Sequence, residues 1–406
     1  MTCKYLRTFL ILLVGTLLPI TEARATTTRI TSLGGAGDFF EDEANVNSWY
    51  GSLVDYPNLA TLDFGHFNIY YGYHDDAGRR ISGPSLTIHQ NLGGNWGNVA
   101  VQLNSVGGDA STGSLYREDL EGTFSAMYAR QAGPVQIGVM YRGGSAKKDT
   151  GGSAFFEENL TQSKLDQFGL GLRMDLSESV YLDLAGEIRS TREEYLPDGS
   201  SESEFYQNLD SASDFSIRGR LFLRLGDRSA LVPLLEYHAE DRPVQPQSLG
   251  YFPAVDGHLF RLGCGFNFYP DTDHFFFAAA EWDNGSARYS YGGFMGEAIP
   301  AWTNDWNTYS LLAGWESRFL PWMTLRSSVG FDLGRGSGHP PVPAEGEPSL
   351  DYDDLHFTLG AGLHLGEFDL DAALSDQEPF PFYGDWGLTY RSYRTTYLSV
   401  ALRWMY

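Results

Sequence analysis

One device repeats along this chain: about ten residues in which every second one is apolar, then turn residues, then another such stretch. A period of two sends successive side chains to opposite faces, which defines a strand. The first clear stretch, FNIYYGY, puts Phe67, Ile69, Tyr71 and Tyr73 on one face and Asn68, Tyr70 and Gly72 on the other. Further stretches centre on Leu86, Val101, Phe124, Ile137, Leu170, Leu182, Ile217, Leu235, Leu262, Ala278, Leu311, Leu325, Leu359, Leu370 and Val400. Sixteen strands are therefore predicted.

The connections between them alternate in length. Short ones lie at Gly93, Gln131, Asp175, Gly226, Pro270, Arg318 and Gly366, and longer polar ones near Asp109, Lys147, Asp198, Val244, Met295, Ala344 and Phe382. A soluble sandwich has no reason to sort its loops this way, whereas a transmembrane barrel has short turns at one end and long loops at the other. Hydrocarbon offers no partner to a backbone N–H or C=O, so sheet is tolerable there only when its ladder closes. The expected fold is all-β: a closed antiparallel up-and-down transmembrane barrel, residues 59–406. Tyr71, Tyr73, Tyr128, Tyr141, Trp282, Trp315, Trp404 and Tyr406 fall near strand ends on the apolar parity, where aromatic girdles sit. Pro233 shares that parity and is expected to mark a bulge.

Residues 1–25 carry Lys4 and Arg7, then an apolar run from Phe9 to Ile20, then Ala23-Arg24-Ala25, the pattern of a cleaved secretory leader. Cys3 falls within it, which leaves Cys264 alone and no disulfide framework. Elsewhere no apolar stretch is long enough for a transmembrane helix. The formal charge of -24 argues against nucleic acid as a partner.

If the apolar stripe faces lipid, the opposite parity faces a lumen, and it carries both signs: Arg142, Arg173, Arg189, Arg218, Arg220, Arg224, Arg261, Arg326 and Arg403 against Asp183, Glu187, Glu236, Glu281, Glu316, Asp332, Asp369 and Asp371. Arg218, Arg220 and Arg261 are the best candidates for an electropositive strip. With Arg326, Glu236, Glu281, Asp369 and Asp371 they are the candidate selectivity residues, and salt bridges that stiffen the barrel are the competing reading. Inward glycines at 169, 171, 263, 265, 314, 360 and 362 are read as relieving wall curvature, with room for a plug or solute as the alternative.

The closing stretch LSVALRWMY resembles the last strand of bacterial outer-membrane β-barrels, porin-like proteins in which a terminal aromatic follows alternating apolar residues. That resemblance implies an outer-membrane location, lipid and lipopolysaccharide as surroundings, and Leu402, Trp404 and Tyr406 as the signal read by the barrel-assembly machinery. Residues 26–58 fit no hairpin. Their SLGGAG run, the acidic Glu41, Asp42 and Glu43, then Asn47 and Pro57, resemble in outline the amino-terminal segment of the fatty-acid-transporter-like and secretion-associated outer-membrane barrels. The resemblance implies a segment in or beneath the lumen, with Gly34, Gly35, Gly37, Asp42 and Pro57 as plug residues. It would also imply fourteen strands, and this chain has Tyr56-Pro57-Asn58 where those families have Asn-Pro-Ala.

The nine histidines are scattered, and no metal or nucleophile spacing emerges, so neither an enzyme nor a cofactor is expected. Acidic loops around Glu193, Glu194, Asp198, Glu202 and Glu204, and around Glu345, Glu347, Asp351, Asp353 and Asp354, read as solvated surface, with bridging of divalent cations to lipid phosphate as the alternative. The expected function is passive diffusion of small polar solutes. Its alternatives are a hatch-gated transporter of hydrophobic compounds, which needs an apolar pocket near Phe39, Phe40 and Trp49, and a non-conducting secretion scaffold.

Overall fold

A computed structural model describes residues 26–71, 84–104, 122–150, 159–196, 212–242, 245–247, 250–252, 254–291, 299–339, 351–375 and 395–406. The expected leader with Cys3, as well as Tyr73, Asp198, Glu202, Glu204, Glu345 and Glu347, lies outside them. In chain order the strands are β1 (Leu59–Tyr71), β2 (Ser85–Asn91), β3 (Asn98–Asn104), β4 (Gly122–Ala132), β5 (Val135–Thr150), β6 (Asn159–Ser177), β7 (Val180–Leu196), β8 (Ala212–Arg224) and β9 (Ser229–Arg242). A small hairpin, β10 (Gln245–Gln247) with β11 (Gly250–Phe252), follows. Then come β12 (Ala254–Phe268), β13 (His274–Tyr291), β14 (Ile299–Leu320), β15 (Met323–His339), β16 (Tyr352–Leu365), β17 (Phe368–Ser375) and β18 (Thr395–Met405).

Without the hairpin, sixteen of these strands form one closed antiparallel barrel, each beside its predecessor, with β1 pairing β18 to complete the circle. As far as the described residues reach, each of the sixteen alternating stretches falls on its own strand. Leu59 pairs with Met405 at the end that also carries the short turns, because an even number of antiparallel strands returns the chain to its starting end. Tyr406 ties this seam twice, its N–H donating to the Asn58 carbonyl at 3.2 Å and its hydroxyl to the His89 carbonyl at 2.9 Å.

The apolar parity faces outward. Leu170, Ile217, Leu262, Leu311, Phe357 and Leu359 are exposed in mid-strand, and Trp96, Phe319, Trp322, Trp404 and Tyr406 are exposed at the short-turn end. So continuous an apolar surface is untenable in water and matches a lipid belt with an aromatic rim. Leu359→Arg should therefore cost roughly 2–4 kcal/mol of barrel stability in a bilayer. Reversible unfolding in vesicles would read that loss, and an unchanged midpoint would deny the lipid-facing assignment.

Pro233 does not mark a bulge. Pairing of β8 with β9 passes from Arg220↔Leu234 to Leu223↔Leu231 with no change of register, and the rungs between them are missing. Proline has no N–H to donate, so the ladder breaks there without shifting. Register shifts occur elsewhere: twice in β1, between Asp63 and His66 and between Asn68 and Tyr70, and once each near Ser177, Leu320 and Tyr291.

Candidate functional site: the lumen and the segment that fills it

Residues 26–58 occupy the lumen. A short helix, α1 (Thr27–Ser32), begins at Thr26, whose hydroxyl accepts from the Arg29 N–H, and ends at Gly34 and Gly35 in left-handed conformations, the usual glycine exit from a helix. Gly37 is not left-handed. It is needed because a Cβ there would press on Ile30 and Asn45. Three short stretches of tighter helix follow, at Gly37–Phe39, Glu43–Asn47 and Tyr50–Asp55. Asp42 caps the second by accepting from the Ala44 N–H at 2.9 Å. After Pro57, Asn58 takes a φ of 53°, tolerable for asparagine, and turns the chain into β1.

Among the polar contacts that fix this plug to inward side chains, four groups involve charged side chains of the wall and side chains of the plug. Arg29 makes a two-pronged contact with Glu316 at 2.7 and 3.0 Å and also donates to Asp42 at 2.9 Å. Glu316 in turn binds Arg326, which reaches Asp371, which accepts from the Thr26 hydroxyl. Glu43 accepts twice from Arg403, at 3.0 and 2.8 Å, and Arg403 is paired with Asp369. Arg173 joins Asp55, Glu41 and Asp183. The Tyr50 hydroxyl donates to Glu187 at 2.6 Å, beside Arg218.

Between the anchors the plug packs apolar groups. Leu33, Phe39, Phe40 and Trp49 meet Tyr181, Phe222, Val232, Leu234, Phe275 and Phe277 in one cluster, and Val46, Tyr50 and Leu53 meet Ala100, Met127, Ala129 and Met140 in another. The surroundings of Phe39, Phe40 and Trp49 are thus filled, each being 1% exposed, and form no open apolar pocket. Arg220 lies over the Trp49 ring at 4.5 Å from its centre and donates to the Asp38 carbonyl at 2.9 Å.

The inward glycines have a different use from curvature relief. A Cβ at Gly138 would collide with the Tyr50 carbonyl, at Gly169 with the Tyr50 ring, at Gly171 with Gly51, at Gly263 and Gly265 with Phe39, and at Gly360 with Ser32. They form the groove in which the plug lies. Gly314 and Gly362 abut neighbouring wall side chains instead, Phe277 and the Arg326–Asp371 pair.

All eight candidate selectivity residues face inward, but they do not form an electropositive strip. Arg218 pairs with Glu187, Arg220 with Asp183, and Arg261 with both Glu236 and Asp283. Opposite charges alternate along the registered row Arg218, Glu236, Arg261, Asp283. Arg220, Arg326, Asp369 and Asp371 are buried beneath or beside the plug, whereas Glu236, Glu281 and Arg261 line the space beyond it towards the long loops. Of the plug partners, Glu43 is named in the sequence only as part of the acidic run, and Arg29 and Tyr50 are not singled out there. Their signal, polar residues in a segment outside the hairpin repeat, names no partner.

His364 bridges the Thr324 hydroxyl at 2.8 Å and Asp369 at 2.7 Å. This Thr–His–Asp chain has its hydroxyl buried and its carboxylate held by Arg403, so it orders the Glu43 anchor. Among the described residues no three His, Cys, Asp or Glu side chains are grouped to hold a metal, and no helix is long and apolar enough to cross a membrane.

Burial pushes the Asp42 carboxyl up to about 6, against the pull of Arg29, and raises Asp55 likewise against Arg173. A carboxyl raised on docking keeps its proton in the docked plug at pH values where the free segment has lost it. Its contribution to docking therefore grows as pH falls through 6 towards the ordinary value near 4 and is lost as pH rises again. Acidification from pH 7 to 5 should slow proteolysis of residues 26–58, and Asp42→Asn should flatten that response. Faster cleavage of the wild type at pH 5 would contradict the assignment.

No family model matches the chain, and no curated protein matches it. Among solved structures it is similar to CdiB from Acinetobacter baumannii, with TM-score 0.47 and 12% identity over 86% of this chain and 59% of that one. It therefore spans under two thirds of that protein's length. It is also similar to a Pseudomonas aeruginosa FadL homologue (TM-score 0.46, 13% identity, 95% of this chain and 99% of that one). A third is the Pseudomonas putida toluene transporter TodX (TM-score 0.41, 10% identity, 95% and 98%).

Proposed function

We propose that this protein is an outer-membrane transport barrel closed at rest by its own amino-terminal segment, and that solutes pass only when the segment shifts. The observation that carries this is the plug itself: a buried segment attached by ion pairs and hydrogen bonds, with apolar packing between them, to a lumen wall grooved by glycine. Polar attachments suit a movable part, because they can be exchanged for water one at a time. The reading replaces free diffusion through an open pore, assigns no chemical step or cofactor, and sets the apolar belt in lipid and lipopolysaccharide after assembly by the insertion machinery.

A second reading, passage of hydrophobic compounds, is favoured by one feature. Withdrawal of the plug would bare Tyr181, Phe222, Val232, Leu234, Phe275 and Phe277 on the wall.

Single-channel recording in planar bilayers tests the proposal. The intact protein should be silent, and a variant lacking residues 26–58 should give large ohmic steps. Stable steps from the intact protein would overturn it. Toluene added to the deletion variant separates the cargo readings, since an apolar passenger should block current by occupying the bared wall.

A further inference from the structure

Residues 26–58 follow the barrel wall backwards. Thr28 meets β18, Ser32 lies against β16, Phe39 against β12, and Tyr50 against β5 and β6. The carbonyls of Leu53 and Tyr56 then accept from Asn98 of β3 and His89 of β2. After Asn58 the same chain becomes β1. The segment is thus an inner hoop, and its two ends lie on either side of one junction, the β1–β18 seam.

That seam has little support of its own. The other neighbouring strands follow one another along the chain, apart from the β10–β11 insertion, whereas β1 and β18 meet only when the whole barrel closes. Closing a loop carries an entropic cost that grows with its length. The seam ladder is also interrupted. Asp63 pairs with Ala401 and His66 with Ser399, so Phe64 and Gly65 together oppose Val400, a bulge that leaves one residue out of the pairing. A second shift follows between Asn68 and Tyr70. Among the described residues the shifts in other strand pairs fall at the ends of their ladders instead.

The start of the hoop binds at this weak point. The hydroxyls of Thr28 and Ser399 are 2.9 Å apart, beside the bulge, and the Thr26 hydroxyl donates to Asp371 of β17 at 2.8 Å. Nearer the short turns Arg403 of β18 donates twice to Glu43. Helix α1 packs on β16, β17 and β18, and the inward residues Ser399, Ala401 and Arg403 are 0%, 0% and 1% exposed. On the other side of the seam the attachment is covalent, through the bond from Asn58 to Leu59, and Asn58 also accepts from the Asn91 N–H of β2 at 3.0 Å.

We infer that residues 26–58 have a second function, as a staple of the barrel seam: α1 and Glu43 grip β17 and β18 from within, while the far end of the segment is β1 itself. The ladder closes the barrel, and the staple sets how seldom its two edges part. This stands apart from gating, because it concerns the wall and not the passage.

The test is hydrogen exchange of the full-length, refolded protein in vesicles, followed strand by strand. Thr26→Ala combined with Thr28→Ala removes two contacts to β17 and β18 and leaves every wall residue in place. Loss of two hydrogen bonds, one of them to a charged group, implies roughly a hundredfold faster exchange of the β1 and β18 amides. The amides of β6 to β8 should not change. Gly360→Val, whose Cβ would press on Ser32, lifts α1 from β16 and should give the same pattern. Gly138→Val disturbs only the turn at Tyr50 and leaves both seam attachments, so it should raise conductance without speeding exchange at the seam. Unchanged seam exchange in both α1 variants would overturn the inference. Equal acceleration in all sixteen strands would do the same, since it would mean loss of stability throughout the wall. Seam exchange is read in silent and conducting protein alike, so a failure here is distinguishable from a failure of gating.

Discussion

Arg29→Met should turn a silent barrel into one that opens. The guanidinium is buried and neutralises two buried carboxylates, Glu316 on the wall and Asp42 on the plug. Methionine keeps much of the volume but leaves Asp42 without its cation and Glu316 with Arg326 alone. Removing one partner of a buried pair typically costs roughly 3–5 kcal/mol, because the remaining charge stays desolvated. Here the cost falls on the docked state alone, since Arg326 still supports Glu316 and the wall is closed by its own ladder. The undocked fraction should rise by roughly two to four orders of magnitude. Single-channel steps should appear in a full-length protein, and residues 26–58 should become accessible to protease. Adding Asp42→Asn should recover part of the loss by removing the stranded charge. If Arg29→Met remained silent and protected, the Arg29 anchor would not be a latch.

The second large effect is steric. Gly138→Val places a branched side chain where the Tyr50 carbonyl now lies, and this backbone atom cannot swing aside as a side chain would. Valine suits a strand, so β5 should still form and the barrel should still close. The turn at Tyr50 and Gly51 should lift away, taking the Tyr50 hydroxyl from Glu187. Overpacking of this kind costs about 1–3 kcal/mol where neighbours can yield, and backbone contact places this case at the upper end. Gly186→Val is the control, because a Cβ there meets only the Ser216 carbonyl at 3.6 Å, an ordinary contact. Conductance and proteolysis should change for the first variant and not for the second. Loss of the barrel itself in Gly138→Val would mean that the glycine serves the wall and not the plug.

The two kinds of substitution separate what a one-dimensional pattern can carry. Alternation at Phe260, Leu262 and Phe266 or at Leu398, Val400 and Leu402 places strands and faces because the side-chain period is a local property of extended backbone. The alternation of short and long connections then places the ends. Closure follows, since unpaired edges are intolerable in lipid. Lumen charges were legible as inward for the same reason, down to Arg220 and Asp371.

Their partners were not legible. Arg218, Arg220 and Arg261 look like a positive strip when read along the strands, because opposite charges from neighbouring strands are remote in sequence: Asp183 beside Arg220, Glu236 beside Arg261. The inward glycines read from the sequence as curvature relief because a missing side chain does not reveal what occupies its space. Thus the sequence by itself determined the strand number, the lipid face and the likeness of residues 26–58 to a plug, all of which rest on local period or local motif. Only the tertiary structure decided that this segment fills the lumen, that Arg29 reaches Glu316 and Glu43 reaches Arg403, and that the apolar neighbourhood of Phe39 and Trp49 is occupied. Those contacts join residues hundreds of positions apart, and it is closure of the barrel that brings them within reach.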